Sequence, residues 1–245
     1  MATAPSSPTP KPVSEVWRPE LTFLPRLTWG RRLLRGFLRG LFRIVLLVCT
    51  RPTVSGLENF PEKGPALVVT NHLGDPDIVF GLAFLPVFPE ALAKIELYDL
   101  PILGPVMHAL GVIWVHRGQP DRRAIRAALE GLQAGRFLGI APEGRESLTG
   151  ALEPGTEGAA FLALKAGVPV PIVPITITGT EHRRVENSLK KLRRTPVTLT
   201  IGKPFVLPLQ ADRREMIREG ARLIMETLAR QLPPEYRGVY RVLRK

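Results

Sequence analysis

Residues 66–84 read ALVVTNHLGDPDIVFGLAF, and this stretch decides the fold. Its first five residues, Ala66–Thr70, are apolar or β-branched with no polar alternation, the pattern of a short strand buried on both faces. Asp75 and Pro76 then supply a helix start. Asp75 is the N-cap, and Pro76 takes the first helical position, where its missing N–H costs nothing. The helix continues over 77–84. A strand, a short polar turn and a helix in succession form the unit of an α/β fold. Outward from this stretch the alternation recurs. Strands are expected at 111–116, 137–141, 170–178 and 197–201. Helices are expected at 121–134, with Arg122, Arg123 and Arg126 exposed, and at 156–166 and 215–231. The expected architecture is α/β, a mixed, mostly parallel sheet flanked by helices, over residues 53–245. Pro169, Pro171 and Pro174 mark the 170–178 strand as an edge, or as one with an irregular entry.

The chain has 245 residues, enough to bury a core without disulfides. Its one cysteine, Cys49, cannot form an internal disulfide or a cysteine zinc cluster, and four scattered histidines give no metal-site pattern, so no metal is expected. There is no P-loop and no GxGxxG, so nucleotide binding lacks support. The net charge of +12 points to an anionic partner. That charge is unevenly placed. Residues 1–51 hold nine Lys/Arg and two Glu; residues 52–180 hold nine basic and thirteen acidic residues; residues 181–245 hold sixteen basic and seven acidic. The basic run RRVENSLKKLRR (183–194) lacks the aromatic interleaving of a single-strand binder, and no nucleic-acid partner is expected.

Residues 1–15 are rich in Pro, Ser and Thr and read as a disordered tail without the features of a secretory signal. The segment 16–52 reads as helical and membrane-associating. Within it, GRRLLRGFLRGLFRIVLLVCT (30–50) places Arg32, Arg35, Arg39 and Arg43 in one helical stripe, with Leu and Phe on the other faces. Its uninterrupted apolar run, Ile44 to Cys49, is far short of the ~20 residues a spanning helix needs. One reading is an interfacial helix whose arginines meet lipid phosphates while Leu and Phe enter the acyl boundary, with Trp17 and Trp29 in the headgroup layer. The other is an ordinary core-packing helix with a solvated arginine face.

The turn after the first strand carries the chemistry. His72 follows the strand, with carboxylates three and five residues on, at Asp75 and Asp77. A carboxylate can orient one ring nitrogen, leaving the other to remove a hydroxyl proton. On these residues alone, a His near an Asp is more often a structural pair.

Four blocks in order change that weighting. Asn71, His72 and Asp77 spell NHxxxxD. Residues 93–118 carry Lys94, Glu96, Leu97, Pro101, Gly104 and Arg117. Residues 141–147 read APEGRES, with Glu143, Gly144, Arg145 and Ser147. Residues 166–175, AGVPVPIVPI, complete the set. From about Gly56 to Phe205 the chain resembles the PlsC-like 1-acylglycerol-3-phosphate acyltransferases, the glycerolipid acyltransferase family. The resemblance implies that fold, preceded by a membrane-docking amphipathic helix. It also implies acyl transfer from acyl-CoA or acyl-carrier protein to a lysophospholipid hydroxyl, with no cofactor. His72 is then the base and Asp77 its orienter, and Asn71, Lys94, Arg117, Glu143, Gly144 and Arg145 bind substrate. Arg117 faces the acceptor phosphate, for which a guanidinium is suited by bidentate geometry. The implied partners are the membrane lipid surface, the lysophospholipid and the thioester donor, and the implied place is the cytoplasmic face of the cell membrane, peripheral or monotopic. Two departures stand out: Gly74 where many relatives have Ser, and Glu146 where the family Arg is expected, with Arg145 one position early. Glu146 keeps other acceptors open, glycerol 3-phosphate, another lysophospholipid or a lyso-aminolipid. A non-catalytic membrane-binding relative is the remaining alternative.

Overall fold

The central strand β2 (Ala66–Thr70) alternates its side chains between two cores. Ala66 and Val68 enter one, with Phe80, Ala83, Val173, Ile175, Ile177, Val197, Leu199 and Leu46. Leu67 and Val69 enter the other, with Leu132, Leu138, Leu162, Ile172, Ile224 and Leu228. Burial on both sides is why the strand reads as unbroken apolar sequence. The structure is a computed structural model that describes residues 13–209 and 211–242.

In chain order the elements are α1 (Trp29–Cys49), β1 (Thr50–Ser55), β2, α2 (Pro76–Phe84), β3 (Glu90–Lys94), α3 (Leu103–Leu110), β4 (Ile113–Val115), α4 (Arg122–Gln133) and β5 (Phe137–Ile140). They continue with α5 (Gly158–Lys165), β6 (Ile172–Thr178), α6 (His182–Lys190), β7 (Thr195–Ile201) and α7 (Arg213–Gln231). The sheet order is β1-β7-β6-β2-β5-β3-β4. Strands β4, β3, β5, β2 and β6 run parallel, and β7 reverses against β6 and carries β1 with it. Helices α1 and α2 supply one core, and α4, α5 and α7 the other. The sheet is therefore mixed and mostly parallel, as the sequence implies.

Three expectations are corrected. First, β6 is an interior strand between β7 and β2, not an edge. Pro174 is tolerated because its ring nitrogen faces the side where the β7 ladder has already ended. That ladder runs from the Ile175–Ile201 pair to Thr178–Thr198, and Gly202 N–H, beyond it, donates to Pro174 O. Second, Asp75 stands at the N-cap position of α2 but makes no capping bond, its backbone being already helical; the Asp77 carboxylate binds the turn instead.

Third, the arginine stripe of α1 does not face outward as a whole. Arg35 is buried and donates from Nε to Leu110 O (2.9 Å) and from its two other nitrogens to Glu90 (2.7 and 3.3 Å). Arg39 donates to Leu82 O (3.2 Å) and Pro86 O (3.0 Å). Arg31 donates to Ala109 O (2.9 Å) and to Arg26 O. The reason is electrostatic: the last carbonyls of α2 and α3 have no helical partner and carry partial negative charge, and a guanidinium satisfies both deficits. Arg43 lies over the Phe84 ring at 5.5 Å, and Arg32 is exposed. Beside the exposed Arg32 and Arg43, what α1 presents outward is mostly apolar: Trp29 (77% exposed), Leu33, Phe37 (67%), Leu41, Ile44, Val45, Leu47 and Val48. Among the described residues, no helix is long and apolar enough to cross a membrane. Of the tail read as disordered, residues 1–12 lie outside the described residues, while Ser14 is hydrogen-bonded to Arg117.

The Arg35–Glu90 pair, with side chains 9% and 2% exposed, anchors α1. Removing Arg35 leaves the buried Glu90 carboxylate with the longer 3.5 Å contact from Arg136. We predict that Arg35→Ala costs about 3–5 kcal/mol by urea unfolding. Arg32→Ala on the same helix is expected to stay within about 0.5 kcal/mol. Equal small losses would remove the anchoring role.

Candidate active site

The sequence-selected residues His72, Lys94, Arg117 and Glu143 follow or end β2, β3, β4 and β5, at the carboxyl edge of parallel strands. In open α/β sheets that edge is where ligands bind.

One oxygen organises the turn after β2. Asp77 Oδ2 accepts from Leu73 N–H (2.6 Å), from Gly74 N–H (3.1 Å) and from the His72 ring at Nδ1 (3.0 Å). An ionised carboxylate only accepts, so Nδ1 carries the proton and Nε2 keeps its lone pair. The His72 main chain is fixed on both sides. Its N–H donates to Glu143 Oε1 (3.0 Å), and its carbonyl accepts from Ser147 N–H (2.8 Å). Asn71, 1% exposed, is held by a reciprocal pair of 2.8 Å bonds to the Ile177 backbone. These bonds hold the imidazole, 14% exposed, in place.

Several substrate-binding assignments meet a structural use. Asn71 bonds to β6. Glu143 is buried and its second oxygen accepts from Glu153 N–H (2.8 Å), so it ties the turn after β5 to both His72 and the 153 segment. Burial pushes its carboxyl up to about 7 against the lowering effect of those two N–H groups. Gly144 sits at φ +73°, a left-handed turn position that a side chain would strain. Arg145 is engaged with Glu153 at 2.6 and 2.7 Å. Lys94 ends β3, paired in register with Val115 of β4, two residues before Arg117.

Arg117 is partly buried. Burial lowers its pKa and the Glu96 charge raises it, the net being a decrease. Arg117 also acts on His72. For that imidazole burial lowers the pKa, the Asp77 hydrogen bond and charge and the Glu146 charge raise it, and Arg117 lowers it; the net is above the ordinary 6.5. Glu146 and Arg117 thus both act on the catalytic candidate, with opposite sign.

One feature escaped the sequence reading. The spelling His-x-Gly-x-Pro-Asp occurs twice, at His72–Asp77 and at His116–Asp121, each after a strand of the same sheet. His116 is wholly buried; its Nδ1 contacts Asp121 Oδ2 at 2.6 Å, and its Nε2 accepts from Arg18 N–H at 2.9 Å. Both ring nitrogens are occupied, so of the two it is His72 that is equipped to take a proton.

A family model described as Acyltransferase matches residues 51–178, more than half of the chain. The chain belongs to the acyltransferase family. It is 30% identical over 208 residues to a 1-acyl-sn-glycerol-3-phosphate acyltransferase alpha of Ovis aries, covering 81% of this chain and 69% of that one. A chloroplastic 1-acyl-sn-glycerol-3-phosphate acyltransferase of Brassica napus is 32% identical over 155 residues (62% and 44%). The Borreliella burgdorferi 1-acyl-sn-glycerol-3-phosphate acyltransferase is 32% identical over 142 residues (55% and 54%). The chain thus spans about half the length of these last two. The crystal structure of PlsC, the LPA acyltransferase of Thermotoga maritima, shares the fold, with TM-score 0.64 over 82% of this chain and 80% of that one at 24% identity.

Within this member of the family the two departures from the family spelling are neighbours in space. A Cβ on Gly74 would lie 3.5 Å from Glu146 Oε1 and 3.1 Å from Thr180 O. The contact with Glu146 is an ordinary one, and the tighter neighbour of position 74 is the Thr180 carbonyl.

Because the folded pKa of His72 is raised, the stability its charged form contributes is full below the unfolded value and is lost as pH rises through the folded one. We expect a ring titration of His72 by NMR to lie above the ordinary value. Glu146→Gln should lower it and Asp77→Asn should lower it further. No change in the Glu146 variant would remove that carboxylate from the site.

Proposed function

We propose that this chain transfers a fatty acyl group from acyl-CoA or acyl-carrier protein to the free hydroxyl of a lysophospholipid, 1-acylglycerol 3-phosphate giving phosphatidic acid. The observation that carries this reading is the His72–Asp77 pair, Nδ1 to Oδ2 at 3.0 Å, at the sheet's carboxyl edge and within electrostatic reach of Arg117. The names of its relatives support the acceptor.

In this reading Arg117 holds the acceptor phosphate. His72 Nε2 takes the hydroxyl proton as the oxygen attacks the thioester carbonyl, and the imidazolium is stabilised by Asp77, which stays ionised. The tetrahedral intermediate collapses, the C–S bond breaks, and the imidazolium proton passes to the departing sulfur. The ester and a free thiol result. His72 is neutral again, and no other group enters the scheme. General-base help accounts for about 10²–10⁴-fold, and positioning of the two substrates for much of the rest.

The outward apolar face of α1 supports action at a membrane. Eight exposed apolar side chains from Trp29 to Val48 would enter the acyl boundary, setting the protein peripherally on the cytoplasmic face, where its thioester donor is available. A second acceptor class, lyso-lipids bearing an ammonium group, is favoured by Glu146, which stands beside the turn of His72 where the family cation is expected.

His72→Ala should lower kcat by about 10²–10⁴-fold with the unfolding midpoint unchanged, and near-normal turnover would overturn the proposed base. Phe37→Glu should weaken binding to anionic phospholipid vesicles by about tenfold or more, read by co-sedimentation; undiminished binding would place the membrane contact elsewhere.

A further inference from the structure

The two residues assigned to chemistry share one device. His72 has its N–H and its carbonyl both fixed, by Glu143 and Ser147. Arg117 has the same, from a single residue far away in sequence. Its N–H donates to Ser14 Oγ (2.8 Å), and its carbonyl accepts from Ser14 N–H (2.9 Å). Ser14 belongs to a strap, residues 13–18, that crosses the carboxyl end of β4.

The strap is fastened at several points beyond Ser14. Arg18 N–H donates to His116 Nε2 (2.9 Å), the Trp17 ring lies over the His116 ring at 4.4 Å, and Arg18 pairs with Asp99 at 2.5 Å while lying over Tyr98. His116 is locked in turn by Asp121, whose Oδ2 also accepts from the His116 N–H (3.0 Å). The other oxygen, Oδ1, caps α4 through Arg123 and Ala124 N–H groups. Residues 116 and 117 are thus held from the helix side by Asp121 and from the chain's beginning by the strap. Without the strap, Arg117 leads into Gly118, at φ +75°, and an exposed stretch to Pro120, which offers little to aim a long side chain.

We propose that Ser14 is a positioning residue for the acceptor site: the strap fixes the Arg117 main chain and thereby aims its guanidinium at the acceptor phosphate, with His116 and Asp121 completing the clamp. This rests on the assignment of Arg117 made above. Ser14 touches no reacting atom. Its effect is on acceptor affinity, because a guanidinium on a loose backbone must be ordered each time it binds.

The test is a double-mutant cycle on the full chain, with 1-acylglycerol 3-phosphate in detergent micelles as acceptor and acyl-CoA as donor. Acceptor affinity is read both as KM and as equilibrium binding without donor. Ser14→Ala should weaken acceptor affinity by about tenfold, with kcat and the acyl-CoA KM within about twofold. Ser14→Thr, which keeps the hydroxyl, should restore it. In an Arg117→Ala background, Ser14→Ala should have no further effect. If Arg117→Ala weakens the acceptor and Ser14→Ala does not, the strap has no positioning role. If Ser14→Ala weakens it equally without Arg117, the strap acts on something else. If Arg117→Ala itself changes nothing, the phosphate assignment falls and the strap proposal falls with it. Loss of the unfolding midpoint in Ser14→Ala, without recovery in Ser14→Thr, would mark the strap as a stability element only.

Discussion

A single carboxylate oxygen, Asp77 Oδ2, stands at the centre of the candidate active site. Two main-chain donors and one ring nitrogen converge on it. The five-residue spacing from His72 follows from that geometry. The turn at Leu73 and Gly74 must fold back over the first turn of α2 so that its N–H groups and the imidazole reach the same oxygen. The bonds that shape the turn also choose the tautomer. Its other oxygen, Oδ1, is buried and makes no hydrogen bond among the described residues, which leaves the charge concentrated on the face that meets the ring. Glu143 and Ser147 then tie this turn to the one after β5, so two loops from neighbouring strands are joined by hydrogen bonds.

Helix α1 reverses the usual arrangement of an amphipathic surface helix. Apart from Phe42 and Leu46, which enter the core, its inner face is cationic because the parts of the domain beneath it are the carbonyl ends of α2 and α3 and the carboxylate of Glu90. Guanidiniums suit that floor, since each presents several donors in a plane. The apolar residues are left facing out. Periodicity alone establishes that such a helix has two faces, and it is silent on which one is buried; that depends on where other helices end.

Much of the architecture was legible in the sequence because β2, β5, β6, β7 and their helices carry strong apolar patterns. Others were not. Strand β3, EALAK, is made of good helix formers and becomes a strand through its pairing with β4 and β5 and through the ion pair of Glu90. Strand β1, TRPTVS, is polar because it is an edge, where Pro52 is tolerated. At the candidate site, the order of motifs singles out His72, Asp77 and Arg117, which lie just beyond strand ends or at the start of the helix that follows. It did not reveal that Asn71 and Glu143 bond to backbone, or that Arg145 pairs with Glu153, since those partners come from distant loops.

The recurrence of His-x-Gly-x-Pro-Asp gives the molecule an internal reference. His72 and His116 each meet an aspartate five residues on, after a strand, yet one far ring nitrogen is open and the other is filled by a main-chain N–H. Any influence that the local spelling itself exerts on an imidazole is common to both. What differs between the two rings is then the signature of the site: an accessible lone pair, the nearby charges of Glu146 and Arg117, and whatever a bound acceptor adds to them.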